Sequence, residues 1–170
     1  VKTDLELTDG QLGFLMGGGF AIFYAFAGIP IARIADSGNR SNLISVALLI
    51  WSAMTVASGM ATNFITLLLA RIGVGVGEAG CTPPAHSILS DTDPPERRAY
   101  ALAVYQLGVP FGILVGFSAG GFLADELGWR TAFFVVGGPG VVLAVIAKLS
   151  QREPERGRFD EGASSELESI

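Results

Sequence analysis

The chain has 170 residues, half of them hydrophobic and only 16% charged, with a formal net charge of −5. A soluble globular chain carries about a quarter charged residues, and the acidic balance excludes the basic footprint of a nucleic-acid binder. One cysteine, Cys81, and one histidine, His86, exclude a disulfide framework and a Cys- or His-based metal cluster.

Five apolar spans follow one another, at about 11–33, 42–60, 64–89, 98–123 and 131–149. Each is near or above the ~20 residues that cross a bilayer as a helix. Glycine-rich apolar runs without alternation do not suit a barrel, and five helices apolar all round would have no wet face in water. The sequence therefore predicts an all-α, polytopic membrane protein. Residues 1–150 form a transmembrane bundle, and 151–170 form a polar segment with six acids against three arginines, read as the start of a flexible loop.

Thr8 or Asp9 can cap the first span. It runs through Gly17, Gly18 and Gly19 and is expected to bend at Pro30. Asp36 and Arg40 then fall in a short polar turn with Gly38 and Asn39. Asn39-Arg40-Ser41 fits a glycosylation sequon, but on the side of the membrane read below as cytoplasmic.

The third span carries two charges, Arg71 and Glu78. They lie seven residues apart and so share a helix face. At 1.5 Å per residue they sit about 10 and 21 Å along the span, inside the hydrocarbon zone. A charge there costs at least ~2.5–3.5 kcal/mol and usually faces a bundle interior or a water cavity that carries ions or substrate. Gly75 to Gly80 spells G-x-G-x-x-G, but without the strand and following helix that a dinucleotide site needs. Its glycines read instead as a face for close approach of a helix or a substrate. Pro83 and Pro84 should break the span. His86 reads as a packing residue and Cys81 as a small buried one.

"DPPERR" starts the next helix, with Asp93 at N-cap, Pro94 at N1 and Glu96 at N3. The fourth span holds Gly108, Gly112, Gly116 and Gly120, four apart, then Gly121. Such a stripe makes a groove for close helix contact. Tyr105 and Gln106 precede it and could line a cavity. In the last span Trp129 suits a membrane interface, and Pro139 marks a bend between Gly137 and Gly140.

Alternate connections place Arg33, Arg40, Arg97, Arg98, Lys148, Arg152, Arg156 and Arg158 on one side, against Lys2 and Arg130 on the other. The positive-inside rule makes the first side cytoplasmic. The segment then enters from outside, although "VKTDLELTDG" has no apolar stretch to deliver it. A preceding helix is therefore expected.

The order of these features resembles the major facilitator superfamily, and "ADSGNR" and "GEA" resemble its spinster-like branch. Asp36 and Arg40 match the loop signature between the second and third helices. Gly112, Gly116, Gly120 and Gly121 match a fifth-helix antiporter motif in which Phe117 replaces the proline. "LGWRTAFFVVGGPG" is similar to the start of the sixth helix. The resemblance implies helices two to six of an N-terminal six-helix bundle, partnered by a first helix and a C-terminal half. It also implies alternating access, with the two halves rocking around a midplane site. Asp36 and Arg40 would form a cytoplasmic gate latch, Arg71 and Glu78 a proton-coupled central cavity, and the fifth-helix glycines a sliding contact. The expected cargo is an anionic amphiphile such as a sphingolipid or lysolipid, moved with protons across a bacterial cytoplasmic membrane. A proton-coupled organic-anion or drug carrier and a non-transporting scaffold subunit are the alternatives. No cofactor, metal or catalytic residue is expected.

Overall fold

The computed structural model describes residues 1–159. Among them there are only helices and turns: α1 (Asp9–Gly13), a π-helical turn (Phe14–Gly18), α2 (Gly19–Ser37), α3 (Arg40–Gly59), α4 (Phe64–Ala79), α5 (Thr82–Thr92), α6 (Pro95–Leu127) and α7 (Trp129–Ser150). They make five rods long and apolar enough to cross a membrane: Asp9–Ser37, Arg40–Gly59, Phe64–Thr92, Pro95–Leu127 and Trp129–Ser150. Each rod corresponds to one of the five apolar spans and extends beyond it, because polar residues at the interfaces still wind as helix.

Local chemistry sets the ends. Thr8, not Asp9, caps α1: its hydroxyl accepts from the Gln11 N–H at 3.2 Å, and the Gln11 side chain accepts from the Thr8 N–H at 2.9 Å. Asn39 caps α3 through the Asn42 N–H at 2.7 Å, and Asn63 caps α4 through the Thr66 N–H at 2.9 Å. α4 stops at Ala79 and α5 restarts with proline in its first turn, as Pro83 and Pro84 require. The start of α6 differs from expectation by one position. Pro94 is the N-cap and Pro95 begins the helix, while Asp93 is extended at φ −105°, ψ 136°. A residue before proline is pushed out of the helical region, which moves the start forward. Between the spans at 98–123 and 131–149 the break in helix is reduced to Gly128, whose φ of +84° only glycine adopts without strain. Pro139 lies inside α7, which continues through it.

α3 is the central rod, packed between α4 and α7. Its inward stripe is polar but small: Ser41, Ser45, Ser52, Thr55 and Ser58 are buried. The hydroxyls of Ser45, Thr55 and Ser58 each donate to the carbonyl four residues back at 2.9 Å, so they need no other partner in a dry interior. Meanwhile Phe26, Phe117 and Leu149 are 75–82% exposed. Small polar groups inside and large apolar groups outside is the distribution that lipid favours.

Glycines let the neighbours approach α3. A Cβ on Gly77 would lie 2.6 Å from the Trp51 nitrogen, and one on Gly137 2.9 Å from the Val56 nitrogen. Gly73 and Gly80 meet Met54 and Ala47 as closely. The α4 glycines thus serve helix contact, as the sequence implied. The α6 stripe does not do so within the described residues. A Cβ on Gly108, Gly112, Gly116, Gly120 or Gly121 would meet nothing within 4 Å, and α6 buries no residue at all.

Candidate functional site

The close α3–α4 contact fixes where the two charges of α4 point. Gly73, Gly77 and Gly80 occupy the side of α4 against α3, and Arg71 and Glu78 fall nearly opposite at 100° per residue. Both are half-buried. They face different cavities. Arg71 opens on one of about 640 Å³, lined with Trp51, Thr55, Phe117, Gly120 and Phe133. Glu78 opens on one of about 450 Å³, lined with Trp51, Tyr105, Gly108, Gly112 and Ile113. Trp51 of α3 borders both.

The two charges form no ion pair with each other. The Arg71 guanidinium lies 5.7 Å from the centroid of the Phe20 ring, a cation–π contact that leaves its N–H donors uncommitted. The Glu78 carboxylate has no hydrogen-bond partner among the described residues. A half-buried, unpartnered carboxylate above a cavity can exchange a proton with whatever fills that cavity.

Tyr105 lines the Glu78 cavity. Its ring meets His86 edge-on at 5.4 Å, while the buried Nε2 of His86 has no hydrogen-bond partner among the described residues. Gln106 is exposed and lines none of these cavities. Gly108 and Gly112 border the Glu78 cavity and Gly120 the Arg71 cavity, which places part of the stripe at a cavity wall instead of a helix contact.

A second constellation lies at the opposite end of α3. Arg40 is 1% exposed. Its guanidinium donates to Asp91, to the Ser87 hydroxyl at 2.7 Å, to Glu153 at 2.7 Å and to the Pro154 carbonyl at 3.2 Å. Glu153 also accepts from the Ser41 N–H at 2.8 Å, and Asp91 from the Gly157 N–H at 3.1 Å. Arg156 closes the set by donating to the carbonyls of Ala35, Asp36 and Gly38. Those are among the carbonyls that the end of α2 leaves without helical partners.

The Asp36 carboxylate is exposed, and Arg40 turns inward to Asp91 and Glu153. The expectation of a flexible segment from residue 151 is corrected in part. Residues 153–157 are pinned to the bundle, not free of it; 160–170 lie outside the described residues. Sequence reading missed Asp91, Glu153 and Arg156. They stand 51 to 121 residues from their partners, and only the basic-acidic alternation of "REPER" directly after an apolar span hinted at Glu153 and Arg156.

The far end is simpler. Arg130 stacks 4.2 Å above the Trp129 ring and donates to the Ala61 carbonyl at 2.9 Å, tying α7 to the turn between α3 and α4. Among the described residues no group of His, Cys, Asp and Glu is placed to hold a metal ion.

The family model of the Major Facilitator Superfamily matches residues 1–168, nearly the whole chain. The chain belongs to the major facilitator superfamily. It is a spinster-like member. A solved bacterial homologue of the human lysosomal transporter spinster, inward-facing and occupied, superposes with a TM-score of 0.80 at 44% identity, over 94% of this chain and 40% of that one. An MFS-type efflux pump of Mycolicibacterium smegmatis is 42% identical over 88% of this chain and 35% of its own length. The probable sphingolipid transporter spinster homolog 1 of Arabidopsis thaliana is 29% identical over 88% and 30%. The chain thus spans about a third of the length of these curated facilitator relatives. As a facilitator chain it is a multi-pass membrane protein.

Proposed function

We propose that this chain supplies the α4 side of the central cavity in a secondary active transporter that works by alternating access. Its cargo is an anionic amphiphile, of the sphingolipid or lysolipid kind, and its driving ion is the proton. Glu78 takes up and releases the proton. Arg71 draws the anionic group. The observation that carries this reading is the pair of half-buried charges on one face of α4, each opening on its own cavity and neither neutralised by the other. Lipid-sized cavities with wholly apolar neighbours such as Phe117 and Ile113 support an amphiphilic cargo. The membrane is the cytoplasmic membrane of a bacterium, with Arg40 and residues 151–159 at its inner face.

A second reading has one specific support. The efflux pump of Mycolicibacterium smegmatis matches at higher identity than the plant sphingolipid transporter, which favours a proton-coupled carrier of drugs or organic anions. Both readings give Glu78 the same task.

The test is flux through the full-length protein in proteoliposomes under an imposed pH gradient. Glu78→Gln should abolish gradient-driven flux and leave the thermal melting temperature unchanged. Flux that still follows the gradient in Glu78→Gln would remove the proton role.

A further inference from the structure

The Glu78 cavity has a neighbour on the Arg40 side. A cleft of about 340 Å³ is lined by Ser41 and Ile44 of α3, Ala85, Ile88 and Leu89 of α5, Tyr105 of α6, and Gln151 and Arg152 beyond α7. Tyr105 lines this cleft and the Glu78 cavity alike. It is therefore the side chain the two spaces share.

Charge distribution in the cleft is one-sided. The carboxylates closest along the chain or across the fold, Glu153 and Asp91, are both committed to Arg40. Their remaining oxygens accept from the Ser41 and Gly157 N–H groups. Arg156 is committed to the end of α2. Arg152 is exposed and has no ion-pair or hydrogen-bond partner among the described residues. The cleft thus joins an uncommitted guanidinium to a wall of Ile44, Ile88 and Leu89. A guanidinium binds carboxylate or phosphate through a planar fork of N–H donors, and the aliphatic wall takes a hydrocarbon chain.

We infer that this cleft is an entry subsite for a single-chain anionic amphiphile, with Arg152 holding the acidic headgroup and Tyr105 standing between it and the Glu78 cavity. The inference rests on the amphiphile reading of the cargo proposed above. Tyr105 is held from α5 by the His86 ring, while α6 buries no residue of its own. A movement of α6 relative to α5 is then enough to withdraw the phenol ring and join the two spaces.

The experiment compares oleate with oleyl alcohol, which share a chain and differ in charge. Binding of each is measured on the purified full-length protein in lipid nanodiscs, for wild type, Arg152→Gln and Arg152→Lys. Arg152 makes no hydrogen bond or ion pair among the described residues, so its substitution should leave the melting temperature in place. Arg152→Gln should weaken oleate about tenfold, the loss expected when one charge-assisted hydrogen bond goes. Oleyl alcohol should be unaffected, and Arg152→Lys should restore part of the oleate affinity. If wild type binds oleate and Arg152→Gln binds it equally well, the subsite is overturned while the cargo reading stands. If wild type binds neither probe, the cargo reading falls and the subsite with it.

Discussion

At the scale of single residues, Arg40 shows how a charge is made tolerable inside a membrane protein. Four hydrogen bonds on one guanidinium, two of them to carboxylates, replace the water it has lost. Burial pushes the Glu153 carboxyl up, but the Ser41 N–H and the Arg40 guanidinium together outweigh it and hold the group below the usual carboxylate range. A carboxyl lowered in the folded state adds stability above its unfolded value, near 4.3, and loses it as pH falls through the folded one. The clamp at this end should therefore weaken below about pH 4. Arg40→Gln leaves Asp91 and Glu153 without their cation, which costs about 3–5 kcal/mol for a broken buried pair. Thermal unfolding in detergent should show a lower midpoint for Arg40→Gln and a smaller loss on acidification. Arg40→Lys should recover little, because one ammonium cannot span Asp91, Ser87 and Glu153 together. An acid response as steep in Arg40→Gln as in wild type would detach Glu153 from this clamp.

At the scale of helices, two glycine sets that look alike in the sequence behave differently. Gly73, Gly77 and Gly80 press α4 onto α3, while the α6 stripe faces open space or a cavity wall. Gly77→Ala places a methyl 2.6 Å from backbone of Trp51, which cannot move aside as a side-chain tip can. Overpacking of this kind costs roughly 1–3 kcal/mol. Gly116→Ala meets nothing within 4 Å and gains up to about 1 kcal/mol of helix propensity. Melting curves of the two variants should move in opposite directions; an equal drop in both would mean that the α6 stripe is packed too. Spacing by four predicts which residues share a face, but not which neighbour that face will meet. Hydropathy located all five rods for a simpler reason. The bilayer imposes one length on each, so the signal is contained in the span itself. The start of α6, by contrast, turned on two adjacent prolines and shifted by one.

At the scale of the whole molecule, the α4 charges were legible because a charge in an apolar span stands out against its surroundings. The Arg40 cluster was not, since its carboxylates come from α5 and from beyond α7, and nothing local distinguishes Asp91 or Glu153 from any interfacial acid. Orientation can be checked directly. In a cysteine-free background of the full-length protein, Thr62→Cys should react with an impermeant maleimide on intact cells. Ser37→Cys should react only after permeabilisation. Both side chains are exposed, Ser37 at the end of α2 and Thr62 between α3 and α4, so the reversed pattern would invert the proposed topology.

The clamp around Arg40 also has a history within each molecule's synthesis. Glu153 is added 113 residues after Arg40, which is roughly 6–23 s at 5–20 residues per second. Until Asp91, 51 residues on, and then Glu153 are made, the arginine lacks its carboxylate partners and is the kind of charge that retains a segment on the cytoplasmic side. Once the chain past α7 emerges, the same side chain disappears into the protein. Under the proposed topology, one residue thus first addresses the hairpin to the cytoplasmic side and later seals the finished bundle, and the address is withdrawn when the seal forms.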